Sequence, residues 1–220
     1  TLLPSPSQAS CSPGSAWRFN GQALVSGPIP NGFVSGMQLP LSGRYDRQGL
    51  ALYESCQSVR FDSLKIANVA LRSQSLRLCP DGGRPVFSTG NGRTRFAANL
   101  PNLAVRGNLG SAPLSAKSAS IRFSLDEGFV ARDVAVTLGQ EDSATDFAVA
   151  ELTGRFGGGG MNGTLQGGSG QIGNIPLLID EAAGNWRYLN NVLTLDSNLQ
   201  LLHAEQVDRF LPVRVPDMLL

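Results

Sequence analysis

Ile121-Arg122-Phe123-Ser124-Leu125, followed by Asp126-Glu127-Gly128 and then by Val130, Val134, Val136 and Leu138, is the stretch that decides the fold. Apolar residues fall on alternate positions, the period of a half-buried β-strand rather than of a helix. The acidic pair and glycine between the two runs supply turn chemistry, so the stretch reads as an antiparallel hairpin. The same alternation recurs outward in both directions. Leu193, Leu195, Leu199 and Leu201 keep one parity across Asp196, Asn198 and Gln200, giving a strand of about nine residues with one apolar edge. Met37, Leu39 and Leu41 lead into Gly43 and Tyr45. Leu64, Ile66, Val69 and Leu71 change parity midway, the mark of a bulge or tight bend.

Between these runs lie Asn20-Gly21, Asn31-Gly32, Asp81-Gly82-Gly83, Asn91-Gly92, Asn162-Gly163 and Ala183-Gly184-Asn185. Asn-Gly and Asp-Gly supply the positive φ angles of two-residue hairpins, so each is read as a turn between antiparallel neighbours. The one helix signal is 203–211, where Val207, Phe210 and Leu211 share a side before Pro212, so at most one short helix is expected, near the C-terminus. Residues 1–16 are rich in Pro and Ser and read as an irregular connection. Residues 17–220 read as one continuous β-segment, with an internal division near residue 100 as the alternative. No fixed repeat period links the two halves. The abrupt start at Thr1 and the apolar ending suggest a piece of a longer protein.

The chain has 220 residues, 26 of them glycine, and 16% are charged, with 18 basic against 17 acidic side chains. Such a balance gives no electrostatic footprint for nucleic acid and no basic block for anionic lipid headgroups. No run of 18 or more apolar residues is present. Cys11, Cys56 and Cys79 lack metal-ligand spacing, so no metal site is expected. Cys56 and Cys79 flank two consecutive strand-like stretches and come within reach if these form a hairpin. A disulfide, implying an oxidising compartment, and a pair of buried thiols both satisfy that placement.

Chemistry-bearing constellations are few. Gly168-Ser169-Gly170-Gln171-Ile172-Gly173 matches G-x-G-x-x-G, yet Pro176 and the strand-like Ile175, Leu177 and Ile179 follow where a dinucleotide site needs a helix. The single histidine, His203, has no nucleophile elbow beside it. Asp126-Glu127, Glu141-Asp142 and Asp180-Glu181 adjoin expected turns, and solvated turn residues account for them. Asn162-Gly163-Thr164 fits a glycosylation sequon and an Asn-Gly turn equally well. No catalytic residue and no cofactor is therefore assigned, and the chain is not expected to be an enzyme. What remains is distributed: Gly157 to Gly160, then Gly167, Gly168, Gly170 and Gly173, make bendable strands suited to a curved or open sheet.

The stretches Cys56-Gln57-Ser58-Val59-Arg60-Phe61, Ser75-Leu76-Arg77-Leu78-Cys79-Pro80, Leu152-Thr153-Gly154-Arg155-Phe156, Gly173-Asn174-Ile175-Pro176-Leu177 and Ala204-Glu205-Gln206-Val207-Asp208-Arg209-Phe210 resemble the YdbH family of bacterial envelope proteins. The likeness runs from about residue 17 onward. It implies membership of the AsmA-like and TamB-like group: an elongated, curved antiparallel sheet forming an open U-shaped apolar groove, in a periplasmic protein anchored in the inner membrane of Gram-negative bacteria. The function so implied is transfer of phospholipid acyl chains toward the outer membrane. A small outer-membrane lipoprotein, joining by strand addition, is the implied partner. Some family members bear a dicarboxylate-transport label, which would require convergent Arg or Lys that the linear sequence does not display. On parity, Ile121, Phe123, Leu125, Val134, Val136, Leu138, Leu193, Leu195, Leu199 and Leu201 are the expected groove-lining residues, and a covered core would use the same set. The rival expectation is a structural or adhesive envelope β-domain with a closed core and no lipid.

Overall fold

The computed structural model describes residues 16–29, 31–157, 159–190, 192–203 and 213–219, with strand placement alone for the last segment. Residues 1–15 and the expected helix beyond His203 lie outside the described residues. Fourteen strands form one antiparallel sheet. They are β1 (Trp17–Ile29), β2 (Gly32–Asp46), β3 (Gly49–Leu52), β4 (Gln57–Ile66), β5 (Val69–Pro80), β6 (Phe87–Gly90), β7 (Arg93–Leu109), β8 (Ala112–Ser124), β9 (Gly128–Leu138), β10 (Thr145–Gly157), β11 (Gly160–Gln171), β12 (Leu177–Leu189), β13 (Val192–His203) and β14 (Val213–Leu219). A single 3-10 turn, Glu141–Ser143, stands between β9 and β10. The fold is therefore all-β, a long sheet in which chain neighbours pair as a meander.

One interruption shapes the first half. β2 pairs with β4 along Gly32–Gln38 and with β3 along Gly43–Asp46. β7 likewise pairs with β6 along Arg93–Phe96 and with β5 farther on. β3 and β4 thus lie end to end on one track, β5 and β6 on the next. At the junction Tyr53, Val86 and Ala98 form a small buried cluster against Leu52, Leu78 and Phe96. Burial there pushes the Tyr53 phenol up from its ordinary value. Cys56 and Cys79 are joined by a disulfide at the same place, tying the open end of the β4–β5 hairpin. Leu100 lies inside β7, and the sheet passes through it without a break.

Half of the Asn-Gly and Asp-Gly signals mark turns and half do not. Asn31, Asp81-Gly82-Gly83 and Asn91-Gly92 do turn the chain, but Asn20-Gly21, Asn162-Gly163 and Gly184-Asn185 lie inside β1, β11 and β12. In those three, asparagine and glycine occupy opposite faces of a strand, so the dipeptide records alternation rather than reversal. The parity change between Ile66 and Val69 is the tight β4–β5 hairpin and not a bulge, with Ala67 at φ 49°.

The disulfide closes a loop of 23 residues. Replacing both cysteines by serine is expected to lower unfolding free energy by about 3 kcal/mol in urea titration. Alkylation of unreduced protein is expected to leave both Cys56 and Cys79 unmodified, as read by peptide mass.

Candidate functional site

Cross-strand partners in an antiparallel sheet point to the same face, so the register assigns every side chain to a side. Phe123 faces Phe129, Phe129 faces Gly154, Gly163 faces Trp186, and Trp186 faces Leu195. On the next row Ile121, Ala131, Leu152 and Leu165 follow one another in the same way. The opposite face at this level carries Ser120, Arg122, Arg132, Glu151, Gln166 and Asn185. One side is apolar and the other polar. Ion pairs Arg122–Asp81 and Arg132–Glu151 lie on the polar side, and the Asp81 carboxylate holds the Arg122 proton above its ordinary range.

Keeping that separation requires a device, because the sequence changes parity inside most strands. In β8 the apolar positions are Leu114 and Ala116 before the middle, then Ile121 and Phe123 after it. At the changeover a left-handed residue stands in the middle of six strands, with β8 itself set between two of them: Gly36 in β2, Ser73 in β5, Asn102 in β7, Asp133 in β9, Gly167 in β11 and Glu181 in β12. Register places Gly36 level with Asp62 and Ser73, then Asn102 level with Ala119, Asp133, Ala150 and Gly167. These residues form a transverse line that steps once, between β5 and β7. Along this line the apolar set changes parity while the pairing register from β7 to β11 is kept, so that the set stays on one face. Backbone groups released there are met by side chains. Ser118 Oγ donates to the Arg132 carbonyl at 2.7 Å, Gln74 Nε2 donates to the carbonyls of Arg72 and Arg106, and the Gly36 amide donates to Ser26 Oγ at 2.9 Å.

Glycine partners leave room for aromatic rings on this face. A Cβ on Gly154 would stand 2.2 Å from the Phe129 ring, and one on Gly170 would stand 2.7 Å from Phe147. Trp186 reaches across Gly163. Its Nε1 donates to the Thr153 carbonyl at 2.9 Å, two strands away, and its ring meets Phe129 at 6.1 Å between centroids. The β10–β11 ladder is interrupted there, and Thr153 Oγ1 accepts the Thr164 amide in its place. Phe96, Phe123 and Phe156 continue the floor edge to face, at 5.8 and 5.7 Å. Rings laid over glycines make a floor rather than an interdigitated core.

Among the described residues no element packs over this floor, and every contact between elements of any extent joins sheet neighbours. Several large side chains are correspondingly open, Leu193 at 62%, Phe156 at 49% and Phe147 at 41%, whereas Phe61 on the same face of β4 is 3% exposed. Among the described residues the outer strands β1 and β14 do not pair with each other, and no pairing closes the sheet into a barrel.

Of the ten residues expected on the apolar face, Ile121, Phe123, Leu193 and Leu195 lie on it below the left-handed line, and Val134, Val136, Leu138, Leu199 and Leu201 above it. Leu125 has the right parity but follows the end of β8 and is 59% exposed. Val130, read in the same run as Val134, pairs with Arg122 on the polar face, because Asp133 reverses the strand between them. Sequence reading passed over Phe129, Trp186 and the glycines beneath them. Their signal was a large residue on one strand facing glycine on the next, which needs the register to be seen.

The other motifs resolve into the sheet. Gly168 to Gln171 belong to β11, and a turn, not a helix, precedes β12. Asp126-Glu127 occupy the β8–β9 turn, whereas Asp180-Glu181 sit inside β12, Glu181 in the left-handed line. Asn162-Gly163-Thr164 is strand, not turn. His203 ends β13 opposite Leu177. Among the described residues there is no group of three or more His, Cys, Asp or Glu that could hold a metal ion, and no helix long and apolar enough to cross a membrane. No protein-family model, curated protein or solved structure matches the chain.

Gly167 has φ +62°, and a Cβ there would stand 2.8 Å from that of Ala150. Gly167→Val is expected to cost roughly 2–4 kcal/mol, from left-handed strain and overpacking together. Asn102→Gly, at a left-handed position that already tolerates a side chain, is expected to stay within about 1 kcal/mol of the parent. Urea titration of both variants measures the difference.

Proposed function

We propose that the chain is a segment of a lipid-transfer protein, in which phospholipid acyl chains lie on the uncovered apolar face while headgroups remain in water at its margins. The carrying observation is that a line of left-handed residues keeps one face apolar from strand to strand, and that this face has no covering layer among the described residues. Acyl chains on such a floor gain about 0.8 kcal/mol for each methylene removed from water. The attraction is non-directional, so a chain can slide from one row of side chains to the next without breaking a specific bond.

The resemblance to the YdbH family supplies the setting in this proposal: a periplasmic bridge anchored in the inner membrane, delivering phospholipid toward the outer membrane. Its partner is a small outer-membrane lipoprotein that adds a strand to an unpaired sheet edge, a mode that suits the edges of β1 and β14, which have no further strand partner among the described residues. The reading requires no catalytic residue and no cofactor. The alternative, a closed structural or adhesive domain, draws on the small buried cluster around Tyr53 and Val86, which is confined to the β3–β6 junction.

Organic extracts of the purified protein are expected to contain phospholipid by mass spectrometry. A photo-crosslinking residue at Phe123 or Leu195 is expected to label lipid in cells, and the same residue at Arg122 is not. Lipid-free protein together with unlabelled Phe123 and Leu195 sites would favour the closed domain.

A further inference from the structure

The polar face carries a hollow that is far from neutral. Four strands cross beneath it. The outer two, β2 and β7, raise long charged side chains, and the inner two, β3 and β6, present small ones. One row runs Arg44, Ala51, Ser88, Arg95, and the next runs Asp46, Gly49, Gly90, Arg93. The result is a trench of about 320 Å³ with a small-residue floor between charged walls, and Arg84 also lines it. Four arginines and one carboxylate line a hollow in a chain whose overall charge is only +1.

Neighbouring carboxylates are already engaged. Asp46 and Glu54 both pair with Arg44, and Asp81 is held by Arg122. Arg95 donates to the Pro85 carbonyl at 3.1 Å, which fixes its direction along the wall. Arg84, Arg93 and Arg95 have no carboxylate partner among the described residues. Guanidinium groups left in this way around a shared hollow focus positive potential and match the oxygens of a tetrahedral oxyanion.

We propose that this trench binds a phosphate group, monoester or diester, through Arg84, Arg93 and Arg95, with the Ser88 hydroxyl at its floor. Several guanidiniums and a hydroxyl offer more donors than the two oxygens of a carboxylate accept, so phosphate is the better match. The site lies on the face opposite the apolar floor and stands independently of the lipid reading. Its phosphate comes either from a lipid headgroup or from a soluble phosphate ester.

Calorimetric titration of the full chain with inorganic phosphate, with glycerol 3-phosphate, and with phosphatidylglycerol vesicles distinguishes these sources. Saturable binding of either soluble ligand supports a phosphate-ester site, and binding of the vesicles alone supports a headgroup site. The Arg84→Gln, Arg93→Gln double variant is expected to weaken whichever binding occurs at least tenfold. Arg60→Gln, Arg77→Gln, which removes the same charge from the same face elsewhere, is expected to change it less than twofold. No saturable binding of any of the three, equal weakening in both variants, or tighter binding of succinate, titrated alongside as a dicarboxylate control, than of phosphate would overturn the proposal.

Discussion

Side chains on a β-strand alternate between two faces, and everything distinctive in this molecule follows from holding that alternation to one outcome across a wide sheet. A single parity slip would send the apolar set of a strand into water on the wrong side. The sequence contains such slips in most strands, and the backbone corrects them together with left-handed residues set in one transverse line. A non-glycine residue in that conformation costs roughly 1–2 kcal/mol, and Ser73, Asn102, Asp133 and Glu181 all adopt it. The cost is borne where neighbouring side chains, such as Ser118 and Gln74, meet the released backbone groups.

Glycines facing rings leave room for the aromatic floor, Gly154 beneath Phe129 and Gly170 beneath Phe147. The polar face is organised by the same register. Where small residues occupy two adjacent inner strands, between β2 and β7, a trench opens with arginines on its walls. The disulfide at Cys56 and Cys79 and the cluster around Val86 secure the junction where two tracks change from one strand pair to another.

Much of this was legible in the sequence. Alternation in Ile121–Leu125 and Leu193–Leu201 gives strand character directly, and antiparallel order follows from short connections. Asn162-Gly163 and Gly184-Asn185 misled as turns because their composition is that of a hairpin while their role is set by the partner strand. Val130 and Val134 share a parity but not a face, since nothing local marks Asp133 as left-handed. The floor of Phe129 and Trp186 over Gly154 and Gly163, and the gathering of Arg44, Arg84, Arg93 and Arg95, are products of long-range register. A linear pattern holds no record of either.

The central claim is that the apolar face is an open surface on which acyl chains lie. Both tryptophans, Trp17 and Trp186, project from that face by register. The most direct measurement is quenching of Trp186 fluorescence, in a Trp17→Phe background, by phospholipid brominated on its acyl chains. Strong quenching is expected there, and none from a tryptophan placed one residue away on the polar face by Trp186→Phe with Arg187→Trp. Equal quenching at the two positions, or none at Trp186, would contradict the account.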